Sequence, residues 1–278
     1  MKKTLWIVSI LLATTQIANA QIKLFQKKNK SANKSTKDST AQQPAVQAPY
    51  AELLPTTVVK KDYSKLDLSN RPADHFMLQY GVDGWTGSPD SVNTAGFSRH
   101  FNFYFMLDKP FKNDKRFSIG FGAGIASSNI FFDKTFVDIK ATGNRLPFTN
   151  TENGNSYEKF KLTSIFLEIP VEIRYYSNPE KPNKSWKFAA GAKVATLLKS
   201  YTKGKNLQNN QGASIYGQNY ISKEYSKRFI NGTRLSVSGR VGYGNVSLHG
   251  DFAITPVIRD GFGPAMNSYS IGVCFSGL

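Results

Sequence analysis

Three histidines, a scatter of carboxylates and guanidinium groups, and one thiol are the side chains here with chemistry to offer. His249 and Asp251 stand two apart, on one face of an extended segment, which is the spacing of a base and the carboxylate that orients it. The same alternation puts Glu168, Glu172 and Arg174 on one face of "SIFLEIPVEIRYY", residues 164–176. Catalysis would require such groups to converge on a nucleophile. No G-x-S-x-G elbow is present, and the glycines of "GFGAGIASSN" lie inside an alternating stretch with no helix after them. A single cysteine, Cys274, excludes an internal disulfide and any cysteine-built metal site. His249 closely follows a Gly244-Asn245 turn, whereas His100 follows a long connection and His75 precedes the first strand. The histidines are therefore expected at separate places, with no catalytic, cofactor-binding or metal-binding set, and the chain is expected not to be an enzyme. A rim enzyme acting on envelope lipid or peptide is the alternative that His100 leaves open.

Charged residues on the polar phase of strands must be positioned by those strands. Period-two alternation begins near residue 74 and recurs eight times. Its apolar faces run Phe76–Val82, Phe101–Leu107, Phe117–Ile125, Ile165–Tyr175, Trp186–Leu198, Leu235–Tyr243, Val246–Ile254 and Tyr269–Phe275. Short connections near 109–115, 178–184 and 244–245 alternate with long ones at 86–97, 130–160, 201–232 and 256–267. Outer-membrane barrels sort their loops by parity in this way, whereas a soluble sandwich has no reason to. The expected fold is all-β: an eight-stranded antiparallel up-and-down transmembrane β-barrel over residues 73–278.

In a soluble sheet the apolar face is buried, and in a membrane barrel it meets lipid. Glycine, serine and alanine share the other face with Lys, Arg, Glu and Asp, and eight strands leave an interior just wide enough for side chains to fill. Glu168, Glu172, Arg174, Lys193, Arg234, Arg240, His249 and Asp251 are therefore expected to form a polar network inside, since enclosed charges are costly unless paired. By alternation Lys199 belongs to that inner face too. Pro170 cannot donate to a ladder, and a closed barrel has no edge, so a bulge is expected there. Trp85 and Trp186, near strand ends, fit an interfacial aromatic girdle or ordinary burial.

The N-terminus reads as sorting information. Lys2 and Lys3 precede the apolar run Leu5–Ala13, and Ala18-Asn19-Ala20 marks cleavage between Ala20 and Gln21, so 1–20 is a signal peptide. Residues 21–72 are basic and polar and read as a disordered periplasmic tether, with a helical turn near Tyr50–Leu54. With 36 Lys and Arg against 19 Asp and Glu, the chain has a formal charge of +17. Anionic envelope partners such as lipopolysaccharide fit that charge, as does a plain gain in solubility; nucleic acid is not expected in this compartment.

"FLEIPVEIRYY" resembles the strand motif of the PorT-like outer-membrane β-barrel family, roughly L-x-I-P-x-x-x-(R/K)-Y, at Leu167, Ile169, Pro170, Arg174 and Tyr175. The resemblance implies an integral outer-membrane barrel of a Gram-negative cell. The role is read as structural or interaction-based, with no cofactor: a surface-binding scaffold or, following the family's name, an accessory of protein secretion. The alternating C-terminal strand "YSIGVCFSGL" fits insertion by the barrel-assembly machinery. Tether and C-terminus are then expected in the periplasm and the long loops outside. A monomer is expected, in contact with outer-membrane lipid, lipopolysaccharide and envelope or secretion proteins. The loops are read as glycan- or protein-binding segments or as solvated covers, and a small passive pore is a further alternative.

Overall fold

The computed structural model describes residues 62–68, 75–90, 92–95 and 97–277. The expected signal peptide at 1–20 with its Ala20–Gln21 junction, the expected tether at 21–61 and 69–72, and the helical turn expected near Tyr50–Leu54 lie outside the described residues. The strands are β1 (Phe76–Thr86), β2 (Arg99–Pro110), β3 (Phe117–Phe132), β4 (Thr135–Val137), β5 (Phe148–Asn150), β6 (Ser156–Tyr176), β7 (Trp186–Gln208), β8 (Ile221–Tyr225), β9 (Thr233–Tyr243), β10 (Val246–Ala253) and β11 (Asn267–Ser276). Eight of them close an antiparallel barrel in the order β1-β2-β3-β6-β7-β9-β10-β11, with β11 pairing back to β1. Each is joined to its neighbour in sequence, so the topology is up-and-down, as the alternation predicts. β4, β5 and β8 arise in stretches that read as loops.

Strand length departs from expectation. β6 has 21 residues and β7 has 23, against 8 for β10. At about 3.3 Å per residue, β7 runs roughly 75 Å, far beyond one bilayer. β3, β6 and β7 therefore project past the other strands at the end that carries the long loops. β8 pairs with the projecting part of β7.

The apolar phase points outward. Ile169, Ile173 and Leu248 are more than half exposed, while Glu168, Glu172 and Arg174 are each 3% exposed or less. On β6 the outward apolar run is Leu167, Ile169, Val171, Ile173 and Tyr175. Nine residues tilted by about 40° stand roughly 23 Å high, the height of the apolar band of a membrane barrel. No soluble sheet would expose such a band, because contiguous apolar patches on soluble proteins are far smaller.

Two expectations about register need correction. Pro170 lies in register with Lys193 of β7. On its other side the ladder with β3 skips Gly122 and Ala123 but resumes unshifted at Gly124–Glu168. The missing N–H is thus accommodated without a bulge. The bulge lies instead between Ile165 and Phe166, where Ile165 faces Lys199 and Phe166 faces Leu197. Leu198 is the extra residue, so Leu198 and Lys199 both point outward. That places Lys199 on the outer face, not the inner one.

Residues 62–68, read from sequence as tether, have a defined place. Tyr63–Lys65 form a turn capped by Asp62, which accepts from Ser64 N at 3.0 Å. Lys115 N donates to Tyr63 O at 3.4 Å, and the Arg116 guanidinium stacks 3.9 Å from the Tyr63 ring centre. This segment therefore docks on the β2–β3 turn.

Candidate functional site

Reading along β6 locates the interior chemistry. Its inward side chains toward the turns are Glu168, Glu172, Arg174 and Tyr176; toward the loops they are Phe160, Leu162, Ser164 and Phe166. The outward side chains reverse in step, from apolar Leu167–Tyr175 to Lys159, Lys161 and Thr163. One strand thus carries two opposite polarity patterns, and they exchange at the bulge.

All eight residues expected inside lie on the inward face, and they fall into two clusters. In the one nearer the turns, Glu172 Oε2 accepts from Arg174 Nε at 3.0 Å and from Arg240 Nη2 at 2.9 Å. Arg174 Nη1 also reaches Asp108 Oδ1 at 3.4 Å, which accepts from Ser118 Oγ at 2.7 Å, and Arg240 Nη1 donates to Ser276 Oγ at 3.2 Å. A thin apolar layer of Met77, Met106 and Cys274, with the Tyr104 ring, lies within the barrel. In the second cluster Glu168 accepts from Tyr104 Oη at 2.5 Å and pairs with Arg234. Lys193 Nζ lies 2.8 Å from Asp251 Oδ1 and donates to Gln79 Oε1 at 3.2 Å. Every buried carboxylate named so far meets a cation, which is the condition for enclosing charge.

The histidines contradict the sequence expectation. His100 and His249 meet, with their Nε2 atoms 3.2 Å apart and their rings nearly perpendicular at 81°. The reason is register. His100 lies opposite Gly81, Gly81 opposite Gly272, and Gly272 opposite His249. The row thus crosses four strands, and its two central residues have no side chain to fill the space between the imidazoles. A Cβ on Gly81 would lie 2.2 Å from the Ile271 carbonyl oxygen, so the backbones approach here as only glycine permits. Counting residues from a turn misplaced His249, because tilt and stagger in a closed barrel separate position along a strand from height.

Each imidazole is anchored at its other nitrogen. His100 Nδ1 is 2.7 Å from Asp83 Oδ1, and His249 Nδ1 is 3.1 Å from Asp251 Oδ2. Asp83 also accepts from Ser270 Oγ at 2.7 Å and from Ser128 Oγ. Each imidazole thus turns Nδ1 to a carboxylate and Nε2 to the other ring. The nitrogen that would act as a base on either ring is thus occupied by the other ring. Among the described residues no three of His, Cys, Asp and Glu converge on a point that would hold a metal ion. Asp83, Asp108, Tyr104, Gln79 and the serines were missed, although Asp108 continues the His100–Met106 phase and Asp83 continues that of Gln79.

The loop end is closed by a second core. Val92, Ile130, Phe132, Val137, Ile139 and Leu146 join Phe160, Leu162, Phe166, Phe229, Ile230 and Ile258 in one buried apolar cluster. The loops are stitched to one another: Leu146 N donates to Phe262 O at 2.8 Å, Asn231 N to Val257 O at 2.9 Å, and Arg228 Nη1 to Ala141 O at 3.1 Å. Trp85 faces this core, 5.7 Å from Phe132, and is no part of an outer girdle; Trp186 is exposed beside Tyr243 at the turn end. On the cap's flank Phe132, Phe136, Tyr157 and Phe160 floor a cleft of about 260 Å³, walled by Thr149, Thr151 and Asn155. Lys134 and Glu152 pair at 3.0 Å beside it, which holds the Lys134 ammonium above the usual lysine range.

A family model described as outer membrane protein beta-barrel domain matches residues 74–259, more than half of the chain. Among curated proteins no sequence matches it.

Proposed function

The chain belongs to the outer membrane protein beta-barrel domain family, and from that premise we propose that it is a non-conducting outer-membrane anchor whose loop end is a folded cap for binding a partner. The observation that carries this reading is the polarity reversal along β6 at Phe166 and Leu167. Below it, paired charges fill the interior; above it, an apolar core fills the mouth. Side chains that fill both the interior and the mouth favour a closed lumen. In this reading the signal segment exports the chain, residues 62–68 and the short turns face the periplasm, and the cap faces outward. In this reading the chain is not an enzyme, which the mutual engagement of His100 and His249 at their Nε2 atoms supports.

An accessory role in secretion, which the PorT-like motif at Leu167–Tyr175 implies, is the narrower form of the proposal. The cap would then be the docking face for another envelope protein. In planar bilayers the purified protein is expected to give no steady conductance. It should also migrate faster on gels unboiled than boiled. Stable single-channel steps would overturn the anchor reading in favour of a passive pore. For the secretion role, deleting the chain should leave cargo inside the cell, and recovery of normal export would reject it.

A further inference from the structure

Immediately above the apolar band, the outward face of β6, β7 and β8 carries Lys159, Lys161, Lys199, Lys203, Lys205 and Lys223. They are laid out on the ladder itself. Lys161 lies opposite Lys203, Lys203 opposite Lys223, and Lys159 opposite Lys205. Directly opposite residues have Cβ atoms about 4.5–5.5 Å apart, and like charges there repel. Among the described residues no ion pair joins any of the six to a carboxylate. Glu224 lies opposite buried Thr202 and so belongs to the other face of the sheet.

The neighbours these ammonium groups do have are weak ones. Lys161 Nζ donates to Asn129 Oδ1 at 2.7 Å and lies 5.5 Å from the Phe131 ring centre. Lys199 and Lys223 lie 4.7 Å and 5.9 Å from the rings of Tyr225 and Tyr201. Partial burial, with the charges of Lys203, Arg99 and Lys223 close by, holds the Lys161 ammonium below the usual lysine range. Regular sheet built on repelling neighbours gains nothing for its own stability. The arrangement fits a multivalent anion lying across three strands.

Position narrows the anion. Leu198 is the last exposed apolar residue of β7 before Lys199. The Tyr201 and Tyr225 rings, 5.3 Å apart, mark the same level as an interfacial aromatic pair would. A lipid lying along Leu167, Ile169, Val194 and Leu198 would therefore bring its headgroup to the lysines. We propose that this lysine ladder binds the phosphorylated saccharide headgroup of lipopolysaccharide, with the acyl chains on the apolar band beneath it. The assignment to that lipid rests on the outward orientation of the loop end proposed above.

The test uses the full chain, purified in non-ionic detergent and stripped of lipid. It is titrated with lipopolysaccharide, with dephosphorylated lipopolysaccharide and with dextran sulfate, and the unfolding midpoint and native-gel mobility are read. Lipopolysaccharide should raise the midpoint, the dephosphorylated form should bind at least tenfold more weakly, and dextran sulfate should not compete at equal charge. The triple variant K161Q/K203Q/K223Q should lose at least tenfold in binding while keeping its heat-dependent mobility shift, and K161R/K203R/K223R should retain binding. Equal binding by wild type and the glutamine variant would overturn the site. Equal binding of the dephosphorylated form would overturn the phosphate contact, and preference for dextran sulfate would assign the face to a soluble polyanion. Orientation is read separately, by protease access to the cap in whole cells, so its failure is distinguishable from failure to bind.

Discussion

The band and the cap of this barrel solve the same packing problem with opposite chemistry. In the band the interior is enclosed between strands whose outward faces are committed to apolar side chains, so the inward phase is left with polar ones. Charge there is acceptable only when paired, and Glu172 with Arg174 and Arg240 meets that condition. In the cap the outward face meets water, and the inward phase can be apolar as in any soluble domain. The contrast shows that inside and outside carry no fixed polarity in a barrel; the solvent at each height sets it.

The largest effect should come from the band. Glu172→Gln leaves two buried guanidinium groups facing a neutral amide, and removing one member of a buried pair costs about 3–5 kcal/mol. The urea midpoint of the barrel refolded in vesicles should fall accordingly, with the whole molecule losing its heat-dependent mobility shift together. In the cap, Phe160→Ala removes a ring from the apolar core, a loss of about 3 kcal/mol or more. Its consequence should be local: protease should cut the loops while the mobility shift persists. If Phe160→Ala unfolds the barrel, or Glu172→Gln merely loosens the loops, the two regions are one cooperative unit and the contrast is only one of composition.

The sequence disclosed the band better than the cap, for physical reasons. Outward alternation in β2 or β11 is strict because every second residue meets the same lipid, so Phe101–Leu107 and Tyr269–Phe275 announce their strands. In the cap each inward residue meets a different neighbour. Ile130, Phe132, Phe160 and Leu162 continue β3 and β6, but their apolar phase is the opposite of that in the band, and the change of phase looks like the end of a strand. The bulge at Leu198 hides the continuation of β7 in the same way. Membership of the inner network was legible from phase up to the bulge, beyond which alternation put Lys199 inside and the ladder puts it outside. Which residues meet was not legible, because the row linking His100 to His249 through Gly81 and Gly272 depends on stagger.

A smaller effect sharpens the boundary between the regions. His100→Leu removes one donor to Asp83 and the partner of His249 Nε2. Leaving buried polar groups unsatisfied costs about 1–3 kcal/mol. Asp83 keeps its serine donors, so the lower figure is expected. Because Ser128 lies on β3 at the level where polarity reverses, the loss should raise hydrogen exchange in both the second cluster and the adjoining cap, and leave the Glu172 cluster unchanged. Exchange confined to the cap would detach the histidine pair from the band's network.

The smallest effect is expected at the turn end, where the structure relies on surface contacts. Asp114 accepts from Arg116 N at 3.0 Å and from Arg116 Nη2 at 2.6 Å, and the same guanidinium carries the Tyr63 ring. The hydrogen bonds from Arg116 hold the Asp114 carboxyl below the usual aspartate range. A depressed carboxylate contributes stability that is complete above its unfolded value, about pH 4, and is lost as pH falls through the folded value. Acidification below about pH 4 should therefore release residues 62–68 from the β2–β3 turn while the barrel stays closed. Hydrogen exchange of that segment, corrected for the intrinsic pH dependence, reads the step. Asp114→Asn should show the released state at neutral pH and no step on acidification. A step that survives the substitution would place the control elsewhere. Loss of the mobility shift with it would mean that the turn end is as integral to the barrel as the charged interior.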